Sequence, residues 1–418
     1  MAFPINDFFH YREAELFCEE LPIAALAERF GTPSYVYSQN TILGNYERLR
    51  GAVAGLPGII CYSVKANSHL RILNLLRQQG AGFDVVSGGE LARALRVGAA
   101  PDTIVFSGVG KTRDEIDASL SAGILMFNVE SAGELAAIEG RAQALQKTGR
   151  ISIRVNPDIE ADTHPYISTG QMIHKFGVPK DEAPELYRRA ARSSFLKVCG
   201  VACHIGSQIL DVDPFLKALD EILAVARGLA PEGITIEALD LGGGYGITYA
   251  SEPPLDVARL TSGLQARLRD AGLRPILEPG RSLVGNAGVL MTRVLYVKQN
   301  QRKNFVVVDA GMNDLMRPTL YGSYHDIVPA RQGPAERLKA DVVGPLCESG
   351  DFLAQDRDLQ EVHPGDLLAV MTTGAYGFVL SSNYNTRPRP AEIMVNGTAA
   401  ELIRARETLD KLMAGETI

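Results

Sequence analysis

Residues 58–67 read GIICYSVKAN, a short apolar run that ends in Lys65 and a turn. Similar runs recur along the chain, and alanine-, leucine- and arginine-rich stretches with helical spacing separate them. Each run with the stretch that follows it predicts one strand-then-helix unit. The eight runs are GIICYSV (58–64), GFDVVS (82–87), TIVFSG (103–108), ILMFNV (124–129), ISIRVNP (151–157), VCGVACHIG (198–206), IEALDLGGG (236–244) and PILEPG (275–280).

Eight consecutive strand-then-helix units predict an α/β fold, a (β/α)8 TIM barrel. The strands of such a barrel are parallel and buried on both faces, which explains why the runs are almost unbroken in their apolar character. A doubly wound open sheet is the alternative that the same pattern allows.

The character of the sequence changes after the eighth run. Segments such as VLMTRVLYV and AEIMVNG alternate in the manner of strands, with turn residues between them, and predict a mostly antiparallel β domain over residues 284–418. The final stretch, AAELIRARETLDKLMAGETI (399–418), has the spacing of an amphipathic helix that closes this domain. The barrel is expected over residues 31–283. Residues 1–30 carry no barrel pattern and are expected to contribute to the β domain.

The composition is ordinary for a soluble enzyme: of 418 residues, 46% are hydrophobic and 22% charged. The net charge of −7 argues against a nucleic-acid surface and against anionic membranes. No apolar run approaches the ~20 residues that span a bilayer, and the N-terminus does not resemble a signal peptide. Five scattered cysteines fit the reducing cytoplasm. We expect no metal site at Cys199, Cys203 and His204, because their spacing is not CxxC and no second cluster follows.

Polar residues and glycines follow the predicted strands, at the end where a barrel builds its active site. The loops LGGGYGI and EPGRS follow strands seven and eight, where barrels commonly bind phosphate through backbone N–H groups. The polar or glycine positions at strand ends are Lys65, Asp84, Ser107, Asn128, Arg154 with Asn156, His204 with Ser207, glycines 242–244, and Glu278 with Arg281.

A lysine and a phosphate site at one end of a barrel indicate pyridoxal 5'-phosphate. This cofactor needs a lysine for its Schiff base, a phosphate cradle, and a group that sets the charge on the pyridine nitrogen. Lys65 and the glycine loops meet the first two needs, and Glu278 meets the third. His204 is a candidate to stack on the ring. The alternatives are a lysine that reaches water at the rim and a buried, hydrogen-bonded histidine.

Long motifs distributed over nearly the whole chain point to one enzyme family. They are YSVKAN, GFDVVSGGEL, IVFSGVGKT, RVNPD, THPYISTG, CHIGSQI, LDLGGGYGI, EPGRSLVGNAG, DAGMNDLMRPTLYGSYH, VVGPLCESGDFLA and GAYGFVLSSNYNTRPRPAE. In these motifs the chain closely resembles the diaminopimelate decarboxylases, fold-type III pyridoxal-phosphate enzymes with an alanine-racemase-like barrel and a C-terminal β domain. The resemblance implies decarboxylation of meso-2,6-diaminopimelate at its D-centre, which yields L-lysine and CO2 in the last step of lysine biosynthesis.

The resemblance also implies residue roles. Lys65 would be the Schiff-base lysine, His204 the ring-stacking group and Glu278 the partner of the pyridine nitrogen. Cys347 would donate a proton. Cys347 and Glu348 would come from the other subunit of a homodimer, so that each active site is shared across the interface. The implied cofactor-binding set also includes Ser207, Gly243, Gly244, Pro279, Gly280, Arg281 and Tyr376, and the implied substrate-binding set is Arg281, Arg317, Tyr321, Glu348 and Tyr376.

Several alternatives stay open on the sequence alone. The guanidinium groups of Arg281 and Arg317 suit carboxylates, which favours a substrate with a distal carboxylate but not one particular amino acid. Ornithine-type decarboxylases place an aspartate where this chain has Glu348. Racemases of this type place an arginine against the pyridine nitrogen, in contrast to Glu278, and non-catalytic pyridoxal-phosphate carriers lack the β domain. For Cys347, the alternative is a small buried hydrophobic residue.

Overall fold

The computed structural model describes residues 8–159, 175–333 and 336–418. The chain divides into two compact units, a barrel unit and a β unit. The barrel unit contains Tyr46–Ile247 and Pro254–Ser282, and the β unit contains the residues up to Asn45, Thr248–Pro253 and Leu283–Ile418. The domain boundaries expected from the sequence, after residues 30 and 283, stay predictions.

The strands are numbered along the chain as β1 (Phe9–Arg12), β2 (Glu15–Cys18), β3 (Leu21–Pro22), β4 (Ser34–Ser38), β5 (Ile59–Ser63), β6 (Gly82–Val85), β7 (Ile104–Phe106), β8 (Met126–Val129), β9 (Gly149–Asn156), β10 (Val178–Pro179), β11 (Leu196–Ala202), β12 (Ala238–Asp240), β13 (Arg274–Leu277), β14 (Gly288–Gln299), β15 (Asn304–Val308), β16 (Ile327–Pro329), β17 (Arg337–Val343), β18 (Phe352–Gln360), β19 (Leu367–Val370), β20 (Ala391–Asn396) and β21 (Ala399–Arg404). The α-helices are α1 (Ile23–Phe30), α2 (Gln39–Ala52), α3 (Leu70–Gln78), α4 (Gly88–Arg96), α5 (Arg113–Ala122), α6 (Ala132–Leu145), α7 (Ala183–Arg192), α8 (Asp213–Leu229), α9 (Val257–Leu268), α10 (Arg281–Val284), α11 (Arg317–Tyr321) and α12 (Leu409–Leu412). None of these helices is long and apolar enough to cross a bilayer.

Eight parallel strands close the barrel in the order β5-β6-β7-β8-β9-β11-β12-β13. The ring is completed by β13, which pairs with β5 through Ile276 opposite Ile59 and Leu277 opposite Ile60. Each barrel strand overlaps one of the eight apolar runs, so the predicted barrel is confirmed. The open doubly wound sheet is wrong, because such a sheet has two unpaired edges.

Burial and helix caps together explain why these runs form short strands followed by helices. All five residues of β5 are buried, and Ile59 and Cys61 belong to an apolar cluster with side chains from other barrel strands. Ser87 and Ser131 cap α4 and α6 by accepting backbone N–H bonds, and Thr112 with Glu115 forms a capping box at α5. These caps begin the helices within a few residues of the strand ends, so the intervening side chains have little freedom.

The β unit is organised around the long strand β14. Its first half pairs with β4 and β19, and its second half pairs with β15. The sheet runs in the order β18-β17-β15-β14-β4-β20-β21, and β16 pairs with β19. Most of these pairings are antiparallel; β15 with β17 and β4 with β20 are the parallel ones. The predicted antiparallel β domain is therefore confirmed.

The first strands of the chain contact other strands of the β unit. Strands β1, β2 and β3 form a small antiparallel sheet, and the backbone N–H of Leu16 donates to the carbonyl oxygen of Ala330 over 2.8 Å. Phe9 and Leu16 are buried in one apolar cluster with Val36 of β4 and Val289 of β14. Burial of these apolar side chains stabilises the N-terminal strands in this position.

The predicted closing helix over residues 399–418 is wrong. Residues Ala399–Arg404 form β21, which is antiparallel to β20, and only the single turn of α12 is helical. Asn396 pairs with Ala399, so a two-residue turn joins the strands, and Gly397 in that turn has φ +58°. Glycine at the first of the two turn residues, where φ is positive, favours this hairpin turn. The segment AAELIR suits a strand as well as a helix, and the turn before it decides between the two.

Gly82→Ala is expected to destabilise the barrel unit by roughly 2 kcal/mol. A Cβ atom at Gly82 would lie 2.3 Å from the carbonyl oxygen of Thr103 and 3.1 Å from Cys61 Sγ, so β6 would have to move. Gly140→Ala is the matched control, because Gly140 is exposed within α6 and no atom lies within 4 Å of its Cβ position. This control should gain about 1 kcal/mol. Thermal unfolding followed by circular dichroism compares them, and an unchanged midpoint for Gly82→Ala would contradict the close approach.

Candidate active site

Lys65 at the end of β5 forms an ion pair with a carboxylate of the next strand. The lysine lies in a 3₁₀ turn over Val64–Ala66, and its side chain is 36% exposed. Its Nζ donates to Oδ2 of the fully buried Asp84 over 3.0 Å, and Ser63 Oγ donates to the same oxygen over 2.7 Å. Asp84 was one of the polar residues predicted to lie at strand ends. Its ion pair with Lys65 could not be predicted, because it depends on β5 and β6 being neighbours in the barrel.

Glu278 and Asp240 form a buried pair of carboxyl groups after β13 and at the end of β12. Each carboxyl group affects the pKa of the other. Asn128 Nδ2 donates to Asp240 Oδ2 over 2.9 Å and lies 3.5 Å from Glu278 Oε1. Ser107 Oγ donates to the same Glu278 oxygen over 3.4 Å, and the backbone N–H of Gly242 donates to Asp240 Oδ1 over 2.9 Å. Two carboxyl groups buried side by side repel each other when both are ionised, which favours a proton on one of them.

Burial determines where that proton lies. It raises the pKa of Glu278 well above its usual range, and the negative charges of Asp240 and Asp84 raise this pKa further, against the positive charge of Lys65. Burial also raises the pKa of Asp240, to about 6, although hydrogen bonds from Asn128 and Gly242 lower it. Near neutral pH, Glu278 is therefore the protonated member and can share its proton with a basic nitrogen. Asp240 is a site residue that the sequence analysis missed, because it appeared there only as part of the glycine motif.

His204 follows β11 and contributes a neutral ring. The backbone N–H of Gly243 donates to His204 Nδ1 over 3.0 Å, so the proton of the neutral ring lies on Nε2. Removal from water lowers the pKa of His204 well below its usual value, and the positive charges of Arg154 and Lys65 lower it further. A neutral, flat imidazole of this kind can pack against an aromatic ring.

The loop after β12 has room only for backbone at two successive glycines. A Cβ atom at Gly243 would lie 2.1 Å from the carbonyl oxygen of Glu278. At Gly244, where φ is +96°, it would lie 2.3 Å from the carbonyl oxygen of Gly206. Any other residue would force these loops apart, so a ligand here can reach the backbone N–H groups directly.

The loop after β13 lies close to the turn that carries Lys65. The backbone N–H of Ser63 donates to the carbonyl oxygen of Pro279 over 3.0 Å, and a Cβ atom at Gly280 would lie 3.0 Å from Ala66 Cβ. Arg281 Nη2 donates to Ser207 Oγ over 2.9 Å, which joins this loop to the one after β11. A guanidinium, a hydroxyl and glycine backbone are donors suited to a phosphate.

These barrel residues fit pyridoxal phosphate. Lys65 supplies an amine, the Glu278–Asp240 pair a proton for a ring nitrogen, and His204 a flat neutral ring. Asp84 Oδ1 is a buried carboxylate oxygen without a hydrogen-bond partner among the described residues, so a bound group could donate to it. Within the same part of the chain, no group of three or more histidine, cysteine, aspartate or glutamate side chains is arranged to hold a metal ion.

Arg317, at the start of α11 in the β unit, is buried among polar and aromatic side chains. Its Nη1 donates to Tyr249 Oη over 2.9 Å and lies 3.0 Å from His325 Nε2. The guanidinium carbon lies 4.8 Å from the centroid of the Tyr249 ring. Tyr321 is the last residue of the same helix. Neither Tyr249 nor His325 was predicted as a site residue. Tyr249 is far from Arg317 in the sequence, and His325, although it ends the motif that contains Arg317, had no role assigned to it.

Cys347 and Glu348 lie on an exposed loop between β17 and β18. Asp351 anchors the loop by accepting two backbone N–H bonds of 2.6 Å. The backbone N–H of Cys347 donates to Asn385 Oδ1 over 3.0 Å, and Tyr384 Oη donates to Glu348 Oε2 over 3.2 Å. That carboxylate raises the pKa of Tyr384. The thiol of Cys347 is exposed, so the alternative of a buried hydrophobic cysteine is wrong.

Tyr376 lies between β19 and β20 with a φ of 55°, in the left-handed region. Non-glycine residues with this backbone conformation are uncommon and cluster at functional sites.

The motif THPYISTG (163–170) lies outside the described residues. The predicted site residues thus divide between the units: Lys65, His204, Ser207, Gly243, Gly244, Glu278, Pro279, Gly280 and Arg281 belong to the barrel unit, and Arg317, Tyr321, Cys347, Glu348 and Tyr376 to the β unit.

Asp240 is expected to make the ligand-free protein less stable as the pH rises. Its pKa is 3.8 in the unfolded chain and about 6 in the folded protein, so its stabilising effect is complete below pH 3.8 and is lost as the pH rises through 6. Asp240→Asn cannot ionise. The free energy of unfolding of this variant, relative to that of the native protein, should therefore be higher at about pH 7 than at about pH 4.5. Urea denaturation at both pH values measures it, and an identical difference at both would contradict the raised pKa.

Comparison with known proteins identifies the family of the chain. The pyridoxal-binding domain of the pyridoxal-dependent decarboxylases matches residues 40–285. The chain is 51% identical to the diaminopimelate decarboxylase of Pseudomonas aeruginosa, over 99% of each chain. It is also 47% identical to that of Aquifex aeolicus, over 98% of this chain and 97% of the relative.

Solved structures of such enzymes share the fold over nearly the full length. The diaminopimelate decarboxylase of Helicobacter pylori, complexed with L-lysine, has a TM-score of 0.90 and 44% identity and covers 93% of this chain and 98% of its own. That of M. jannaschii, also with L-lysine, has a TM-score of 0.92 and 37% identity, covering 99% and 98%. The family's cofactor, pyridoxal phosphate, is the one that the barrel residues fit. This chain therefore belongs to the diaminopimelate decarboxylases, a family of pyridoxal-phosphate-dependent enzymes.

Proposed function

We propose that this protein removes the D-centre carboxyl group of meso-2,6-diaminopimelate, and so produces L-lysine and CO2 in the last step of lysine biosynthesis. The observation that carries the proposal is the buried Glu278 beside Asp240, with its pKa raised by burial, at the barrel end that also holds Lys65. An amine and an acid of raised pKa are what pyridoxal phosphate needs from a protein in order to act as an electron sink. The 51% identity to a diaminopimelate decarboxylase over 99% of each chain supports this substrate.

The barrel residues are proposed to bind and orient the cofactor. Pyridoxal phosphate, when bound, supplies a conjugated ring that takes up the electron pair left by the departing CO2. Lys65 binds the aldehyde, Glu278 holds a proton at the pyridine nitrogen, and His204 packs its neutral ring against the pyridine ring. The groups that we propose for the rest of the cofactor are Ser207, Gly243, Gly244, Pro279, Gly280, Arg281 and Tyr376.

Residues of the β unit are proposed to recognise the substrate and to complete the reaction. Arg317 binds the distal carboxylate, since a guanidinium matches a carboxylate with two parallel hydrogen bonds. The exposed thiol of Cys347 donates a proton to the carbon that has lost CO2, a step for which thiols are competent acids near neutral pH. The remaining proposed substrate contacts are Arg281, Tyr321, Glu348 and Tyr376.

We also propose a homodimer in which Cys347 and Glu348 serve the active site of the partner subunit. Their loop is exposed but held firmly at its base, where Thr319 Oγ1 donates to the carbonyl oxygen of Gly350 over 2.5 Å. A firmly held, exposed loop is suited to act on a second chain. We propose a cytoplasmic location as well, because the thiol of Cys347 must stay reduced.

A non-catalytic carrier of pyridoxal phosphate is not favoured. Relatives named as diaminopimelate decarboxylases match 96–99% of the chain, which includes the β unit. That unit holds Arg317 and Cys347, the residues proposed for substrate recognition and proton donation. A carrier of the cofactor has no need of either function.

The first prediction from the proposed function concerns Lys65. The purified protein with pyridoxal phosphate should show a visible absorbance band of the bound cofactor and should release CO2 from meso-diaminopimelate. Lys65→Ala should lose the band, and its activity should fall by at least about a thousand-fold, because the amine is then absent. Lys65→Arg is the matched control: it keeps a cation beside Asp84 yet should also lose the band. A band without CO2 release from the native protein would contradict the proposed substrate, and a band that persists in both variants would contradict the role of Lys65.

The second prediction tests the shared active site. Lys65→Ala and Cys347→Ala should each be nearly inactive as pure homodimers. In a mixed dimer, one site combines the native Lys65 of one chain with the native Cys347 of the other. After unfolding and refolding together in equal amounts, about half of the dimers should be mixed and half of their sites intact, which gives about a quarter of native activity. Lys65→Ala refolded with His204→Ala is the control and should recover little. No recovery with Cys347→Ala would contradict the proposal that the site is shared.

A further inference from the structure

The side chain of His325 is fully buried and links Arg317 to the backbone of the β unit. His325 Nδ1 lies 2.9 Å from the carbonyl oxygen of Met371, and His325 Nε2 lies 3.0 Å from Arg317 Nη1. Met371 directly follows β19, and Arg317 begins α11. The imidazole therefore bridges a strand end and a helix start through its two nitrogen atoms.

The two neighbours of His325 determine which nitrogen carries the proton. A carbonyl oxygen only accepts hydrogen bonds, and a guanidinium only donates them. Nδ1–H must therefore donate to Met371, and the lone pair on Nε2 must accept from Arg317 Nη1. Both contacts are satisfied only by the neutral Nδ1–H tautomer, and this arrangement gives the guanidinium a directed acceptor.

Tyr249 and Ser323 restrain the same guanidinium from other directions. Tyr249 Oη accepts from Arg317 Nη1, and the tyrosine ring packs against the guanidinium face. That ring also meets the His325 ring edge to face, with centroids 5.4 Å apart. Ser323 Oγ accepts from Arg317 Nη2 over 3.2 Å. Rotation of Arg317 would break several of these contacts at once, so the orientation of its fork is fixed before any ligand binds.

We propose that His325 is a positioning residue that orients Arg317 for the distal carboxylate of the substrate and thereby sets the affinity for that carboxylate. The inference rests on the proposed function, in which Arg317 binds this group. It adds that the orientation comes from the acceptor nitrogen of His325. Loss of that acceptor should weaken ligands that carry the distal carboxylate and leave other ligands unaffected.

Two substitutions of His325 separate its two hydrogen bonds. His325→Gln carries an amide oxygen about where Nε2 lies, so it keeps an acceptor for Arg317. His325→Asn carries its amide about where Nδ1 lies, so it keeps a donor for Met371 and loses the acceptor. Relative to the native holoenzyme, His325→Asn should raise KM for meso-diaminopimelate roughly ten-fold with little change in kcat, since a hydrogen bond to a charged group is lost. His325→Gln should stay close to native values.

Binding of two inhibitors distinguishes positioning from general damage. L-lysine keeps the distal carboxylate, so its inhibition constant should rise in His325→Asn by the same factor as KM. The constant for 1,5-diaminopentane, which has no carboxylate, should not change. In an Arg317→Met background, His325→Asn should add no further effect, because the group that it positions is absent. Equal weakening of both inhibitors, or full additivity with Arg317→Met, would overturn the inference.

A measurement on the native protein covers the case in which His325→Asn does not fold. Nitrogen-15 NMR of histidine-labelled protein, assigned with His325→Gln, should find His325 as the Nδ1–H tautomer; the Nε2–H tautomer would overturn the inference. Failure of the proposed function has a different signature. It would appear as no CO2 release from meso-diaminopimelate by the native protein and would remove this inference with it. Native turnover with an unchanged KM in His325→Asn would overturn the inference alone.

Discussion

Three buried carboxyl groups, those of Asp84, Asp240 and Glu278, lie at the barrel end that carries Lys65. An ionised carboxylate is costly to bury unless it is paired or hydrogen-bonded. Each group meets this constraint differently: Asp84 pairs with Lys65, Asp240 accepts hydrogen bonds, and Glu278 keeps its proton. The partners come from different strands, so the protonated state of Glu278 depends on the closed barrel as a whole. The same constraint that shapes the barrel end provides the acid that the cofactor needs.

In the β unit, the buried guanidinium of Arg317 is also held by hydrogen-bond partners. Arg317 is oriented by a phenol, an imidazole and a hydroxyl, all neutral groups. Neutral acceptors orient a guanidinium without cancelling its charge, which suits a residue that is to meet an anion. In both units, neighbouring groups fix the orientation or the charge of the residues proposed to bind cofactor or substrate. Activity on this family's substrate is therefore expected to depend on Asp240 and His325, two residues of the quoted motifs for which the sequence alone indicated no role.

The barrel could be predicted because strands that are buried on both faces give nearly unbroken apolar runs in the sequence. The side of the barrel that holds the site could be predicted because the carboxyl ends of all the strands lie there. Lys65, His204 and Glu278 could be assigned to that side for the same reason. Asp240 could not be recognised as a partner of Glu278, since the pairing depends on which strands are neighbours and on side-chain conformation. The contact between Tyr249 and Arg317 joins distant parts of the chain and has no local pattern. The closing helix was wrongly predicted because AAELIR suits both periodicities, and the tight turn at Gly397 that decides between them was overlooked.

Strand β4 is synthesised long before the two strands that pair with it. It pairs with β14 on one side and β20 on the other, and both emerge from the ribosome long after it. All the barrel strands are made in the interval. During translation, both edges of β4 therefore stay unpaired and the hydrophobic side chains of Tyr35, Val36 and Tyr37 stay exposed. Unpaired strand edges and exposed hydrophobic side chains promote aggregation of nascent chains. The yield of folded protein in a cell depends on how well this strand is shielded until the last part of the chain is released.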